Sequence, residues 1–303
     1  MNSNRLKRVG VLLLVGLLLG TGGGAPAWAQ GGRTVVDDRG REVAVPPRVE
    51  RVVVAGTPLF TEILVDLGAL DKLVGVSTSP DNPPEVAAVA EVGPSFPSPN
   101  IERIVELNPD VVFGAVFAAR DQLEAAGLTV ITPVGFITSI ADLFTVVRAV
   151  GLVVDRAAQA DRLVGQISEG VVRLESRVAQ QTPKRAAFVF AAAGNPPFAS
   201  GRGSFEGELL ARAGGLNVFS DLEGGGVISL ETLVARNPEV IFTDRSQVEN
   251  ITNNPLLQDV AAVKSGHVVG VKASSLTSTR VVDTLAALAK ALHPEAFATA
   301  QGS

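Results

Sequence analysis

Thirteen residues of this chain occur twice in similar form, and this repeat restricts the fold more than any other feature. IERIVELNPDVVF, residues 101–113, returns as LETLVARNPEVIF at residues 230–242, with six identical positions and no gap. The shared Asn-Pro predicts a helix end, and the apolar run after it predicts a strand. A separation of 129 residues is far longer than a solenoid period. The chain therefore contains two similar halves.

Strands alternate with short helical patterns on both sides of the chain's midpoint. Helices are expected at residues 59–67, 101–106, about 122–126, 205–213 and 281–292. The predicted strands are 51–56, 72–77, 110–115, 128–134, 185–190, 239–244 and 267–271. This alternation indicates a parallel sheet with helices in each half. The predicted fold class is therefore α/β, with two lobes that each have a central sheet.

A long helical region separates the two halves. Residues 140–181 contain no proline, and a break is expected near Gly151. Residues 155–181 would form a rod of roughly 40 Å. Its apolar face has helical spacing and consists of Ala160, Leu163, Val164, Ile167, Val171, Leu174 and Val178. The predicted divisions are a first lobe at 30–138, a linker helix region at 139–183 and a second lobe at 184–303.

The first 29 residues have the pattern of an export signal. A basic start is followed by an apolar run from Val9 to Gly20 and by Ala27-Trp28-Ala29, an A-x-A cleavage site. The chain has no cysteine, hence no thiol for a lipid. We therefore expect an exported, soluble periplasmic protein with a cleaved signal and no lipid anchor. A net charge of −5 argues against nucleic-acid binding.

The sequence offers no recognisable catalytic or metal motif. His267 and His293 share no metal-ligand spacing, and no Gly-x-Ser-x-Gly occurs. With no tyrosine in the chain, heme ligation is not expected either. The SGRGSF stretch at 200–205 is either a loop whose Arg202 faces an anion or a flexible loop with Ser204 as a helix cap. We expect no enzyme, no bound metal and no cofactor.

Three stretches together resemble a known family. They are TPLFTEILVDLGALDKLVGVS, NIERIVELNPDVV and NPPFASGRGSFEGELLARAGGLNVF, which begin at residues 57, 100 and 195. In this order they are similar to the substrate-binding proteins of ABC importers for ferric siderophores and vitamin B12. The likeness covers about residues 35–297 and is strongest to the cobalamin-binding members, which also carry an NPPF-x-SG stretch.

The resemblance implies a fold, a partner and a reason for the repeat. Members have two α/β lobes bridged by one long helix, and the ligand lies in the cleft between the lobes. Each lobe presents a glutamate that engages an arginine on one of two permease subunits. The match assigns these roles to Glu102 and Glu231. An exposed ion pair contributes only about 0–1 kcal/mol, so such pairs would set orientation more than affinity.

The resemblance also places candidate ligand contacts. Phe96 stands where the cobalamin-binding members have a cleft tryptophan, whereas Ser79, Ala115 and Gly225 replace other cleft aromatics. Cations suit carboxylate or catecholate chelates, although Arg120 and Arg202 could equally be solvated charges. The candidate apolar contacts are Phe60, Phe96, Phe117, Phe136 and Phe198, and the polar ones are Arg120 and Arg202.

The sequence thus predicts a monomeric substrate-binding component of an ABC importer, which delivers a chelate to a permease dimer with ATPase subunits. The ligand is either a ferric siderophore or a corrinoid such as cobalamin, and both remain open. The alternatives are a protein that binds bare zinc or manganese, a secreted α/β hydrolase, and a module that senses the same ligand without transport.

Overall fold

Two separate central sheets organise the part of the chain that the structure, a computed structural model, describes: residues 32–191 and 195–298. The predicted signal, residues 1–29, lies outside this part. The elements of the first lobe are β1 (Thr34–Val36), β2 (Glu42–Ala44), β3 (Val52–Val54), α1 (Pro58–Asp66), β4 (Leu73–Val76), β5 (Ala90–Glu91), α2 (Ile101–Glu106), β6 (Val111–Phe113), α3 (Phe117–Ala125) and β7 (Val130–Ile131). β1 and β2 form an antiparallel hairpin. The parallel sheet has the order β5-β4-β3-β6-β7.

The linker region folds as two packed helices, α4 (Ile140–Val153) and α5 (Ala157–Val178). The predicted break near Gly151 is present, although α4 continues through this residue to Val153. A Cβ on Gly151 would collide with the Ala160 methyl group, so the glycine permits close helix packing. The chain turns at 154–156, where Asp155 has a φ of +60°, a left-handed conformation that aspartate tolerates.

The second lobe has a mixed sheet and more helices. Its elements are β8 (Lys184–Phe190), β9 (Phe198–Ser200), α6 (Phe205–Arg212), β10 (Gly215–Asn217), β11 (Gly225–Val227), α7 (Leu230–Arg236), β12 (Val240–Asp244), α8 (Val248–Thr252), α9 (Ala261–Lys264), β13 (Val268–Val271), α10 (Val281–Leu292) and α11 (Pro294–Phe297). The sheet order is β11-β9-β8-β12-β13, with β10 also beside β8. Of these strands, β9 runs antiparallel to its neighbours. The fold class, two α/β lobes, is as predicted, whereas the exact lobe boundaries remain a prediction.

The sequence repeat is reproduced in main-chain contacts. In the first lobe, the Asp110 amide donates to the Arg51 carbonyl at 2.8 Å, and the Asp110 carboxylate accepts from the Arg51 amide at 2.8 Å. In the second lobe, Glu239 and Arg185 make the same two contacts at 2.7 and 2.9 Å. Each arginine also donates from its guanidinium to the carbonyl three residues before that acid. Each copy of the repeat therefore forms an equivalent hydrogen-bonded junction between helix and strand in its own lobe.

The repeated asparagines have a backbone role in this junction. Asn108 and Asn237 have φ values of +45° and +42°. Asparagine is one of the few residues that adopt this left-handed conformation readily. The proline that follows each of them then cannot continue the helix. This accounts for the repeated Asn-Pro without any functional role.

One apolar cluster runs through both lobes. It includes one face of β3 and β6, one face of β8 and β12, and parts of α1, α4, α5, α6 and α10. The predicted apolar face of α5 lies in or against this cluster. Smaller clusters cover the opposite face of each sheet. The two lobes therefore share their largest core rather than packing as independent units.

Polar contacts on the surface also connect the two lobes. The Glu62 carboxylate on α1 accepts hydrogen bonds from the Ser278 hydroxyl at 2.6 Å and the Thr279 amide at 3.1 Å. One turn further along α1, Asp66 pairs with Arg280 at 2.6 Å. These contacts join a first-lobe helix to the segment just before α10. Together with the shared core, they favour small rather than wide movements between the lobes.

Candidate functional site

The first sheet reverses its strand order next to β3, and a cavity lies at this point. The chain leaves β3 toward β4 on one side and later returns to β6 on the other. Ligands of open α/β sheets bind at such switch points, beyond the carboxyl ends of the strands. Here Gly56 and Gly114 lie back to back, and a Cβ on Gly56 would come within 2.8 Å of the Gly114 Cα. Their missing side chains open the floor of the cavity.

The cavity has a volume of about 340 Å³ and a mainly apolar wall. Four of the five predicted phenylalanines line it: Phe60, Phe96, Phe117 and Phe136. Hydroxyl groups are contributed by Thr57, Ser95, Thr132 and, from the second lobe, Thr277. Sequence reasoning missed these hydroxyls because serine and threonine in loops carry no distinctive signal. The wall thus combines phenyl rings with a few hydrogen-bonding groups.

Three of these rings are exposed to an unusual degree. Phe96, Phe136 and Phe117 are 76%, 73% and 58% exposed, whereas Phe60 is buried and stacks on Phe113 with ring centroids 5.9 Å apart. The rings of Phe117 and Phe136 lie 6.1 Å apart. Phe117 also has a φ of +52°, a strained conformation that tends to occur at functional sites. Phe117 and Phe136 thus form an exposed apolar patch at the cavity.

Arg120 lies beneath this wall rather than on it. Its side chain is 1% exposed, and Nη1 lies 2.5 Å from the Asp38 carboxylate. Its Nε donates to the Ala115 carbonyl at 3.1 Å, as does the Thr132 hydroxyl at 2.7 Å. The Asp38 amide in turn donates to the Thr132 carbonyl. Arg120 therefore ties together the loops that carry Phe117 and Phe136, and a direct contact with a ligand would require its ion pair to open.

The two remaining candidates of the predicted ligand site lie elsewhere in the second lobe. Phe198 is partly exposed at the start of β9, next to Gly225, and does not line the phenylalanine cavity. Arg202 follows the end of β9, which runs away from the cleft edge. It pairs with Glu223 at 2.7 Å and lines a separate cavity of about 530 Å³ with Thr138 and Ser139. The structure does not bring these two residues together with the four phenylalanines.

Glu102 and Glu231 occupy equivalent positions. Each is the second residue of its helix, α2 or α7, and each is exposed. The helices are capped by Asn100 and Ser229, whose side chains accept from backbone amides at 3.0 and 3.1 Å. Each helix precedes a strand whose carboxyl end faces the cleft, so its N-terminus lies at that same edge. The two carboxylates therefore flank the cleft.

The surroundings of the two glutamates differ. Hydrogen bonds from its own amide and from the Ser229 hydroxyl lower the pKa of Glu231. Beside it lies an apolar groove of about 330 Å³, whose other lining residues are Leu230, Val234, Ala235 and Leu256. A carboxylate at a helix N-terminus is stabilised by the helix dipole, so part of the preference for glutamate at this position is structural.

The two histidines lie apart from the phenylalanine cavity and do not belong to a metal-binding group of the described residues. Among them, no three His, Cys, Asp or Glu side chains group so that they could hold a metal ion. His267 contacts the Ser265 hydroxyl at 3.0 Å at the amino end of β13, away from the cleft. His293 is buried and contacts the Gly214 carbonyl. Within the same residues, no helix has the length and apolarity that a membrane crossing requires.

Comparisons with known proteins point to one family. A family model described as "Periplasmic binding protein" matches residues 53–274. An uncharacterized ABC transporter substrate-binding lipoprotein of Bacillus subtilis, YvrC, is 25% identical, and the match covers 86% of each chain. A vitamin B12-binding protein of Yersinia pestis is 28% identical over 69% of this chain and 76% of its own. A periplasmic heme-binding protein of Pseudomonas aeruginosa superposes with a TM-score of 0.72 at 26% identity, covering 82% of this chain and 94% of the other.

The Bacillus relative corrects one expectation. The sequence led us to expect a protein free in the periplasm without a lipid anchor. That prediction is contradicted, because this relative is a lipoprotein, and it is withdrawn. A binding protein that serves a membrane permease functions beside the membrane, where an anchor is compatible with its task.

Proposed function

The chain belongs to the periplasmic binding protein family, and we propose that it is the substrate-binding component of an ABC importer for a metal chelate. The chelate is a ferric siderophore or a corrinoid, bound as a whole so that the metal is held by the ligand. The protein acts as a monomer that delivers this chelate to a permease dimer. Catalysis plays no part in this role, in keeping with relatives that are binding proteins.

The observation that carries the proposal is the phenylalanine cavity. Phe96, Phe117 and Phe136 expose apolar area at the carboxyl ends of the first sheet. Covering such area contributes roughly 25 cal/mol per Å² removed from water. A bulky chelate with an organic periphery supplies the matching surface, whereas a bare ion does not. The hydroxyls of Thr57 and Thr277 provide hydrogen bonds that would orient it.

The second part of the proposal concerns docking. Glu102 and Glu231 flank the cleft from equivalent helix ends. A permease dimer offers two copies of one surface, so two equivalent carboxylates on the binding protein match it. We propose that each glutamate pairs with a basic residue of one permease subunit. The pairs set orientation, and rim charges of this kind mainly affect association rates.

Heme and bare metal ions are two other ligand classes to compare with this cavity. Heme requires an axial ligand such as histidine, tyrosine, cysteine or methionine. The chain has no tyrosine or cysteine, and neither His267 nor His293 lines the phenylalanine cavity. Bare zinc or manganese needs several converging side chains. Both alternatives fit this cavity less well than a whole chelate.

Co-elution on gel filtration tests the proposal. The protein is mixed with cyanocobalamin or with a ferric siderophore, and the visible absorbance of the chelate is followed in the protein peak. We expect at least one chelate to co-elute and to raise the melting temperature, because a ligand that binds only the native state stabilises it by mass action. The matched control is Phe117→Ala/Phe136→Ala, which should reduce co-elution. If no chelate of either class binds, the proposed function is wrong.

A further inference from the structure

We propose that the chelate carries little or no net negative charge. This inference rests on the proposed function and narrows the ligand class of the same cleft. A neutral ferric hydroxamate or a neutral corrinoid would fit, whereas a trianionic ferric catecholate would be rejected. Two sets of observations support it: the residues that line the cavity, and the ion pairs that already engage nearby cations.

The wall of the phenylalanine cavity offers no charge to an anion. Every described residue that lines it is glycine, phenylalanine, valine, isoleucine, serine or threonine. An anion placed against such a wall would lose water without gaining a charged partner, which is costly.

Two cations near the cavity, Lys272 and Arg120, are already paired with carboxylates of this chain. Lys272, which follows β13 at the cleft edge, pairs with Asp81 of the first lobe at 2.5 Å. Arg120 is buried against Asp38. Arg245, which follows β12, does not line the phenylalanine cavity. To bind an anionic chelate, the Lys272 pair would have to break, whereas sites for multiply charged anions present unpaired cations in advance.

The pairing of Arg202 extends this pattern beyond the cavity. The Arg202 guanidinium lies 2.7 Å from the Glu223 carboxylate. Its cavity is separate from that of the phenylalanines and is also lined by the acidic Glu208. Neither cavity therefore combines aromatic rings with free positive charge. A catecholate chelate, which is aromatic and highly anionic, requires both.

Three coloured probes of different charge test the inference. They are a neutral ferric trihydroxamate, cyanocobalamin and a trianionic ferric tricatecholate, each measured by equilibrium dialysis against the folded protein. We expect one of the neutral probes to bind and the tricatecholate to bind at least about 100-fold more weakly, a difference of about 2.7 kcal/mol. Tricatecholate binding as tight as that of the neutral probes would overturn the inference while leaving the proposed function intact. If none of the probes binds, the proposed function itself fails.

A variant that frees a cation supplies a gain-of-function test. Asp81→Asn releases Lys272 at the cleft edge, and we expect affinity for the tricatecholate to rise about 10-fold, while that for the neutral probe stays the same. The matched control is Asp259→Asn, which breaks the similar Lys264 pair, 2.9 Å long, at a site before β13 and away from the cleft. It should change neither affinity. Circular dichroism verifies that both variants are folded. An unchanged tricatecholate affinity in Asp81→Asn would also overturn the inference.

Discussion

In the first lobe Arg51 binds the main chain beside Asp110, and in the second lobe Arg185 binds the main chain beside Glu239 with almost the same distances. At the cleft the two lobes are different. The first presents three exposed phenylalanines, whereas the second contributes Thr277 to the same cavity. The lobes are therefore alike where the repeat lies and unlike where a ligand would bind. Under the docking proposal, the similar parts of the lobes face two equivalent permease subunits, whereas a ligand that binds once requires no symmetry between the lobes.

The largest expected effect comes from the buried ion pair under the first lobe's aromatic wall. Arg120→Met leaves the Asp38 carboxylate without its buried partner and should lower the free energy of unfolding by about 3 kcal/mol. The second lobe provides a matched control in Arg202→Met, whose partner Glu223 is as exposed as Arg202 itself. That change should cost no more than about 1 kcal/mol. Urea unfolding measures both, and equal losses would contradict the difference in burial on which the comparison depends.

Charge reversal tests whether the similarity of the two lobes serves docking. Glu102→Lys/Glu231→Lys places two positive charges where the permease is proposed to present its own, so uptake of the chelate should fall about 100-fold. Affinity for the chelate in solution should remain unchanged. The control is Glu106→Lys/Asp259→Lys, which introduces the same charge at exposed sites away from the two helix N-termini. Normal uptake by the first double variant would exclude the docking proposal.

Lowering the pH should destabilise the β1–β2 hairpin of the first lobe. Burial raises the pKa of the Asp37 carboxyl, but hydrogen bonds from Arg41 and Arg39 outweigh it and hold the pKa below its ordinary value of 3.8. The stabilisation is therefore present above that value and is lost as the pH falls through the lower folded pKa. Asp37→Asn should cost about 2 kcal/mol at pH 7, and this difference should shrink below about pH 4. Urea unfolding at pH 7 and pH 3 measures it.

The same hairpin supplies the control for this prediction. Asp121 pairs with Arg39 at the surface, and both side chains are exposed. Asp121→Asn should change stability by less than about 1 kcal/mol at either pH. If Asp37→Asn costs as much at pH 3 as at pH 7, the ionised carboxylate is not the source of the stabilisation.

Replacing phenylalanines with alanine measures how much each lobe contributes to chelate affinity. Phe117→Ala/Phe136→Ala should weaken chelate binding about 10-fold, because two exposed rings of the cavity wall are removed. Phe198→Ala in the second lobe should have an effect of less than about 3-fold. Equilibrium dialysis with the chelate that binds the unaltered protein gives both values. A larger loss for Phe198→Ala would shift the site toward the second lobe.

The smallest expected effect is a difference in stability between glycine variants of the two repeated asparagines. Both have left-handed backbones, which glycine adopts without strain. The Asn237 side chain, however, also accepts a hydrogen bond from the Ala261 amide at 2.8 Å. Asn108→Gly should therefore change stability by less than about 0.5 kcal/mol, whereas Asn237→Gly should cost about 1 kcal/mol. Equal costs would mean that this hydrogen bond adds nothing.

Much of the fold could be predicted because local signals and tertiary packing agree. Helices α2 and α10 have the bounds that the sequence predicts. The strands β9 to β11 were missed, since they are short and partly glycine and are defined by their pairing. The break expected near Gly151 lies at 154–156, and Gly151 itself is inside α4, because glycine marks close packing as well as helix ends.

The candidate site was predicted less completely than the fold. The phenylalanines of the first lobe converge because they follow neighbouring parallel strands, which the alternating pattern already implied. The burial of Arg120 could not be foreseen, since Asp38 lies 82 residues before it in the chain. The pairs that neutralise Lys272 and Arg202 likewise join distant segments. Residue type indicates a possible ligand contact, but only the tertiary fold determines whether a charge is already matched.

The apolar cluster that the lobes share has a consequence for how the molecule unfolds. Neither sheet can lose its inner layer without exposing α5 and the face of the other sheet that packs in the same cluster. Lobes with separate cores would melt one after the other, whereas these should melt in a single cooperative step, with equal calorimetric and van't Hoff enthalpies. A chelate bound mainly to the first lobe would then protect the amides of the second lobe from hydrogen exchange as well.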